Sequence, residues 1–136
     1  MNRFLLSISC ALSLAACAAQ KAPPTDDFSD LASVDPKSDA FSKHMTTVGN
    51  LSYGQSSGDV AYHNPPKYRA LTFTGAKGDA IDIWVRSTDG DAVAWLLDAK
   101  FKTVATNDDA DSKTLDSHIT STLAKAGTFY IVFRDY

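Results

Sequence analysis

The sequence predicts an all-β domain: an antiparallel β-sandwich, jelly-roll-like, of about six to eight strands. Three observations carry that expectation. All sixteen acidic residues are Asp and none is Glu; Asp favours caps and turns where Glu favours helices. Several stretches alternate apolar and polar residues with the period of a half-buried strand. Turn signals separate those stretches by about eight to twelve residues, the spacing of a sandwich.

The chain opens on a leader pattern. Arg3 gives a positive start, and residues 4–14 form a short apolar run of signal-peptide length. That run is too short to span a bilayer, which takes about 20 apolar residues. Leu14-Ala15-Ala16 then lead directly into Cys17, and this stretch resembles the bacterial lipobox. The resemblance implies removal of residues 1–16, diacylglyceryl transfer to the Cys17 thiol and acylation of the freed amine. Two or more acyl chains, palmitate or similar, anchor stably where one does not, so the implied partner is a membrane. Ala18, where Asp would retain the protein at the inner membrane, implies the outer membrane, with the domain facing the periplasm or the cell surface. An ordinary secretory leader cut after an Ala-x-Ala site is the alternative.

Thirteen basic residues less Arg3 leave twelve against sixteen Asp, a net charge of −4 after processing. No basic stripe is present, which argues against nucleic acid as a partner. The two cysteines are Cys10, inside the leader, and Cys17. The folded part therefore has none for a disulfide and must be held by packing.

Residues 17–45 read as a tether. Ala22-Pro23-Pro24-Thr25-Asp26-Asp27 is polar and proline-bearing, a composition that buries too little to fold. Asp27–Val34 and Lys37–His44 suggest helical turns too short to stand alone. The domain is expected over residues 46–136. Val48, Leu51 and Tyr53 are apolar in a polar setting, followed by turns at Gly54–Gly58 and His63–Pro66. Lys67–Thr74 alternates, with Arg69, Leu71 and Phe73 opposite Tyr68, Ala70, Thr72 and Thr74. After the Gly75–Asp79 turn, Ala80–Ser87 sets Ile81, Ile83 and Val85 against Asp82, Trp84 and Arg86. Ala92–Leu97 is apolar on both faces, the mark of a central strand. Phe101–Ala105, Leu115, His118–Leu123 and Thr128–Arg134 complete the set, the last placing Phe129, Ile131 and Phe133 on one face.

Four pieces then resemble the bacterial pre-peptidase C-terminal domain. They are Leu71-Thr72-Phe73 with Gly78-Asp79; Gly90-Asp91 entering a strand that ends at Asp98; Asn107-Asp108-Asp109 leading to Ser117-His118-Ile119; and Ala126-Gly127-Thr128-Phe129-Tyr130-Ile131. Val93 stands where the family often has a second acid, and Arg69 near where it places an aromatic. The resemblance implies a β-sandwich accessory module with no catalysis.

Three constellations bear on function. Asp89 and Asp91 lie in one turn, and Asp108, Asp109, Asp111 and Asp116 in another segment. Calcium takes six to eight oxygens, which converging loops supply; the same residues also fold turns through side-chain bonds to the backbone. His44, His63 and His118 lack zinc spacing. Trp84 stands among charges on its face, an arrangement that suits a glycan or peptide, unless the N-terminal segment or a sheet edge covers it. The sequence thus favours a lipid-anchored, non-enzymatic module binding an envelope protein or polysaccharide, calcium being a possible cofactor. The alternative is a small hydrolase or protease-inhibitor lipoprotein; no nucleophile elbow supports the hydrolase.

Overall fold

A computed structural model describes residues 2–10, 38–64 and 67–136. Along the chain these form β1 (Asn2–Cys10), α1 (Ser38–His44), β2 (Met45–Asn50), β3 (Ser56–Tyr62) and β4 (Tyr68–Gly75). There follow β5 (Ala80–Ser87), β6 (Ala92–Asp98), β7 (Thr103–Asn107), β8 (Ser117–Thr122) and β9 (Gly127–Asp135). The all-β sandwich is present as two sheets, one of four strands in the order β3-β1-β5-β8 and one of five in the order β2-β4-β9-β6-β7. The described residues hold eight strands from Met45 onward, within the expected number, and β1 in addition. Among the described residues every pairing is antiparallel except β2 with β4, which is parallel.

Strand period sets the main core. In β5, Ile81, Ile83 and Val85 point inward and are buried, as the alternation requires. From the facing sheet, Leu71, Phe73, Phe129, Ile131 and Phe133 meet them. The apolar pattern of β6 has the reason given for it. The strand lies between β9 and β7 and is buried at every position. Ala92, Ala94 and Leu96 enter the core between the sheets, whereas Val93, Trp95 and Leu97 enter a second core on the outer face of the five-stranded sheet.

That second core explains the helix. Phe41 of α1 is fully buried against Tyr68 and Trp95, with ring centroids 5.1 and 5.6 Å away. A seven-residue helix is too short to persist alone, so tertiary packing holds it. The folded unit accordingly reaches upstream of residue 46: α1, with Met45 packed beside it, belongs to the sandwich and not to a free tether.

Residues 2–10, which the sequence assigns to the leader, also take part. As β1 they sit between β3 and β5, with Phe4 opposite Val60 and Ser87, and Ile8 opposite Ile83. Phe4, Leu6 and Ile8 have no exposed surface. The presence of β1 also makes a strand of Ser56–Tyr62, part of which reads as turn in the sequence.

Two smaller expectations change. Phe101 does not begin a strand but occupies the left-handed region (φ 59°) in the β6–β7 turn, its ring against Tyr130 at 5.0 Å. Leu115 lies in a loop, 54% exposed, and serves through its carbonyl, which accepts the Ala92 N–H at 2.9 Å. Cys17, the proline-rich stretch at 22–27 and the helical turn expected at Asp27–Val34 lie outside the described residues.

Candidate functional site

The acidic residues separate into two groups with different chemistry. Asp91 immediately precedes β6, and Asp108 and Asp109 immediately follow β7. Because β6 and β7 are neighbours, with Ala94 opposite Asn107, the register brings all three to one end of the five-stranded sheet. One carboxylate oxygen from each lies within 4.8 Å of the others.

The group is charged and poorly satisfied. Asp91 Oδ1 and Asp108 Oδ1 are buried and accept no hydrogen bond. Burial pushes both carboxyls above the ordinary carboxylate range. Repulsion adds to it: Asp109 and Asp135 raise Asp91, while Asp91 and Asp109 raise Asp108. The guanidinium of Arg134 offsets part of both shifts. Two like-charged carboxylates with unpaired buried oxygens are a costly arrangement, and a divalent cation would relieve it. Oxygens on opposite sides of a calcium ion at 2.3–2.6 Å are up to about 5 Å apart, and the observed separation falls within that span.

The other predicted ligands do not join them. Asp111 Oδ1 accepts the Lys113 N–H at 2.7 Å, an Asx turn. Asp116 Oδ1 accepts the Ser87 N–H at 3.1 Å, and its other oxygen lies 3.8 Å from Arg86 Nε. Asp89 is exposed and lines a separate open hollow of about 490 Å3 with Lys113 and Asp116. The bond of Asp111 is a local turn contact, whereas Asp116 ties its loop to the end of β5. Asn107 likewise reaches across, its side-chain carbonyl accepting the His118 N–H at 2.8 Å and anchoring the loop. Sequence reasoning missed Asp135, whose Oδ1 accepts the Asp91 N–H at 2.9 Å. Only the pairing of Ala92 with Asp135 across β6 and β9 places it there, and no local motif carries that information.

Trp84 stands on the outer face of the four-stranded sheet. Its ring stacks on His118 of β8 at 4.0 Å and 11°, the residue directly across from it. The Arg86 guanidinium also lies over the Trp84 ring, 5.0 Å from its centroid. Asp82 Oδ1 is 3.2 Å from His118 Nε2. Of the described N-terminal residues, β1 lies beside β5 within the sheet and not over this face.

The three histidines sit on separate elements. His44 ends α1, His118 lies in β8, and His63 follows β3, where its carbonyl accepts from the buried Arg69 at 3.1 Å. Comparison of the chain with protein-family models, with curated proteins and with solved structures returns no match.

Proposed function

We propose that this chain is a lipid-anchored, non-enzymatic binding module of the bacterial envelope, its sandwich resembling the pre-peptidase C-terminal domain. The observation that carries the reading is Cys17 directly after Leu14-Ala15-Ala16, at the end of a short apolar run. Support comes from the compact sandwich and from the aromatic and charged face around Trp84, which suits a peptide or polysaccharide strand. The test is incorporation of a clickable palmitate analogue into the chain expressed in a bacterial host. Label should appear in the outer-membrane fraction and vanish in Cys17→Ser. An unlabelled wild-type chain overturns the anchor. Recovery of an envelope partner on wild type but not on Trp84→Ala would assign the binding face, and equal recovery would remove Trp84 from it.

A second reading concerns the acidic end. The unsatisfied oxygens of Asp91 and Asp108, close to Asp109, favour a calcium-type cation there, with Asp89, Asp111 and Asp116 outside the ligand set. Calorimetry with calcium should give heat on wild type and none on Asp108→Asn. Absence of heat on wild type at millimolar calcium would exclude the site.

A further inference from the structure

Strand β1 occupies the middle of its sheet, yet residues 1–16 are what processing at Cys17 removes. Resting on that proposed processing, we propose that the mature domain presents an open strand slot between β3 and β5. The slot captures an extended segment of a partner protein, which completes the sheet.

The strand seated there defines what the slot accepts. β1 runs antiparallel to both neighbours, pairing Asn2 with Tyr62 on one side and Leu6 with Val85 on the other. It follows that β3 and β5 run parallel to each other, two strand spacings or roughly 10 Å apart. Phe4, Leu6 and Ile8 fill the inward positions and are fully buried. The Phe4 ring meets Tyr62 at 5.3 Å and Phe133 at 5.2 Å. On the outer face Ser7 lies between Ser56 or Ser57 and Trp84, and Ser9 lies against Asp82. At the entrance Arg3 pairs with Asp59 at 3.2 Å. Main-chain donors and acceptors continue past the regular ladder: the Ile8 carbonyl accepts the Gly54 N–H at 2.7 Å, and the Leu6 N–H donates to Ser57 Oγ at 3.2 Å. The ligand is therefore a strand with a basic residue, then an aromatic, then aliphatic residues at the second and fourth positions after it, the outward positions taking an aliphatic residue first and small polar residues after it.

Nothing else in the chain fills that description. Residues 18–37 contain no three bulky apolar residues at alternate positions. A second mature copy offers β2, exposed along nearly its whole length, or the short β7, and neither carries the pattern. Closure of β3 directly onto β5 would bring inward only Val60, Tyr62 and Gly58, with nothing to fill the volumes of Leu6 and Ile8. Strand addition of this kind draws affinity from main-chain bonds and specificity from alternate side-chain pockets.

The test starts from the protein isolated from bacterial membranes in mild detergent. Mass spectrometry reads its N-terminus first. A chain still beginning at Met1 keeps its slot filled, which overturns the proposal together with the processing it rests on. A chain beginning at Cys17 is titrated by fluorescence anisotropy with a labelled peptide of residues 2–9. The control peptide has the same composition with its four apolar residues consecutive, so that at most two face inward. The expected result is saturable binding of the first peptide and at least about a hundredfold weaker binding of the control, from the loss of one or more buried anchors. Equal binding of the two peptides, or none, overturns the slot while leaving the anchor intact. If the processed chain is unfolded, refolding is followed by circular dichroism. Recovery with the alternating peptide alone supports the proposal, and recovery with both or neither refutes it.

Discussion

Trp95 and Trp84 both project from the outer face of a sheet, Trp95 from β6 in the five-stranded sheet and Trp84 from β5 in the four-stranded one. Among the described residues their surroundings differ because a short helix lies over the five-stranded sheet and none lies over the four-stranded one. Trp95 is 1% exposed beneath Phe41 and edge-on to Tyr68 at 5.8 Å. Trp84 is half-buried, in contact with His118 and Arg86. The lesson is that strand alternation says which face a side chain leaves by, whereas exposure is decided by what packs on that face. One tryptophan is a core residue, and the other is half-buried at the surface of the described residues.

The strongest way to break the contrast is to delete the two rings in turn. Trp95→Ala should cost about 3–5 kcal/mol, since a fully buried aromatic leaves a cavity. Trp84→Ala should cost about 1 kcal/mol, chiefly the stacking contact with His118. Urea unfolding checks both; equal losses would refute the assignment of roles. Acrylamide should quench Trp84 and spare Trp95. Phe41→Ala comes next, at about 3 kcal/mol, and it should make Trp95 quenchable by uncovering it.

The two aspartates flanking the apolar run of β6 sharpen the comparison by charge. Asp98 is buried, and Lys125 Nζ at 2.8 Å is the main reason its carboxyl is held below the ordinary range; the N–H groups of Lys100 and Lys102 assist, against the effect of burial. A depressed native value adds stability above the unfolded value and loses it as pH falls through the native one. Asp98→Asn should therefore cost about 1–3 kcal/mol at neutral pH, with the loss shrinking in strong acid. Asp91 has the opposite sign. Its raised value means that the native state prefers the protonated form, so stability declines as pH rises from the unfolded value through the native one. Asp91→Asn should stabilise by roughly 0.5–1 kcal/mol at neutral pH, a gain that disappears near the unperturbed carboxylate value of about 4. Melting temperatures across pH would separate the two; a destabilising Asp91→Asn would contradict the repulsion argument.

Much of the fold is legible in the residues. The alternation in Ala80–Ser87 and Thr128–Arg134 fixes the inward faces of β5 and β9, and the two-sided apolar run of Ala92–Leu97 marks a strand buried on both sides. What hides Trp95 is less legible, because Phe41 sits in a polar stretch with a helical pattern of barely two turns and is ordered only by distant partners. The acidic site was legible as composition and not as geometry. The aspartates of the two segments, 89–91 and 108–116, all read alike, and the β6–β7 register selects Asp91, Asp108 and Asp109 from among them. The role of residues 2–10 was the least accessible. The apolar run that reads as a leader pairs as a strand with β3 on one side and β5 on the other, and no local signal in residues 2–10 separates the two readings.

The smallest expected effect tests whether the Trp84 face contributes to folding at all. Arg86 lies 5.0 Å above the indole and 3.8 Å from Asp116, with half of its side chain exposed. Exposed ion pairs and cation–π contacts are each worth a few tenths of a kcal/mol to about 1, and the freed Asp116 keeps its bond to the Ser87 N–H. Arg86→Ala should therefore change stability by less than about 0.5 kcal/mol, and added salt should erase most of the difference. A loss above about 2 kcal/mol, on the scale of a buried contact, would mean that Arg86 and Trp84 form a structural cluster like that around Trp95. A near-neutral result sets them apart from the buried cluster around Trp95, as surface side chains that the fold does not require.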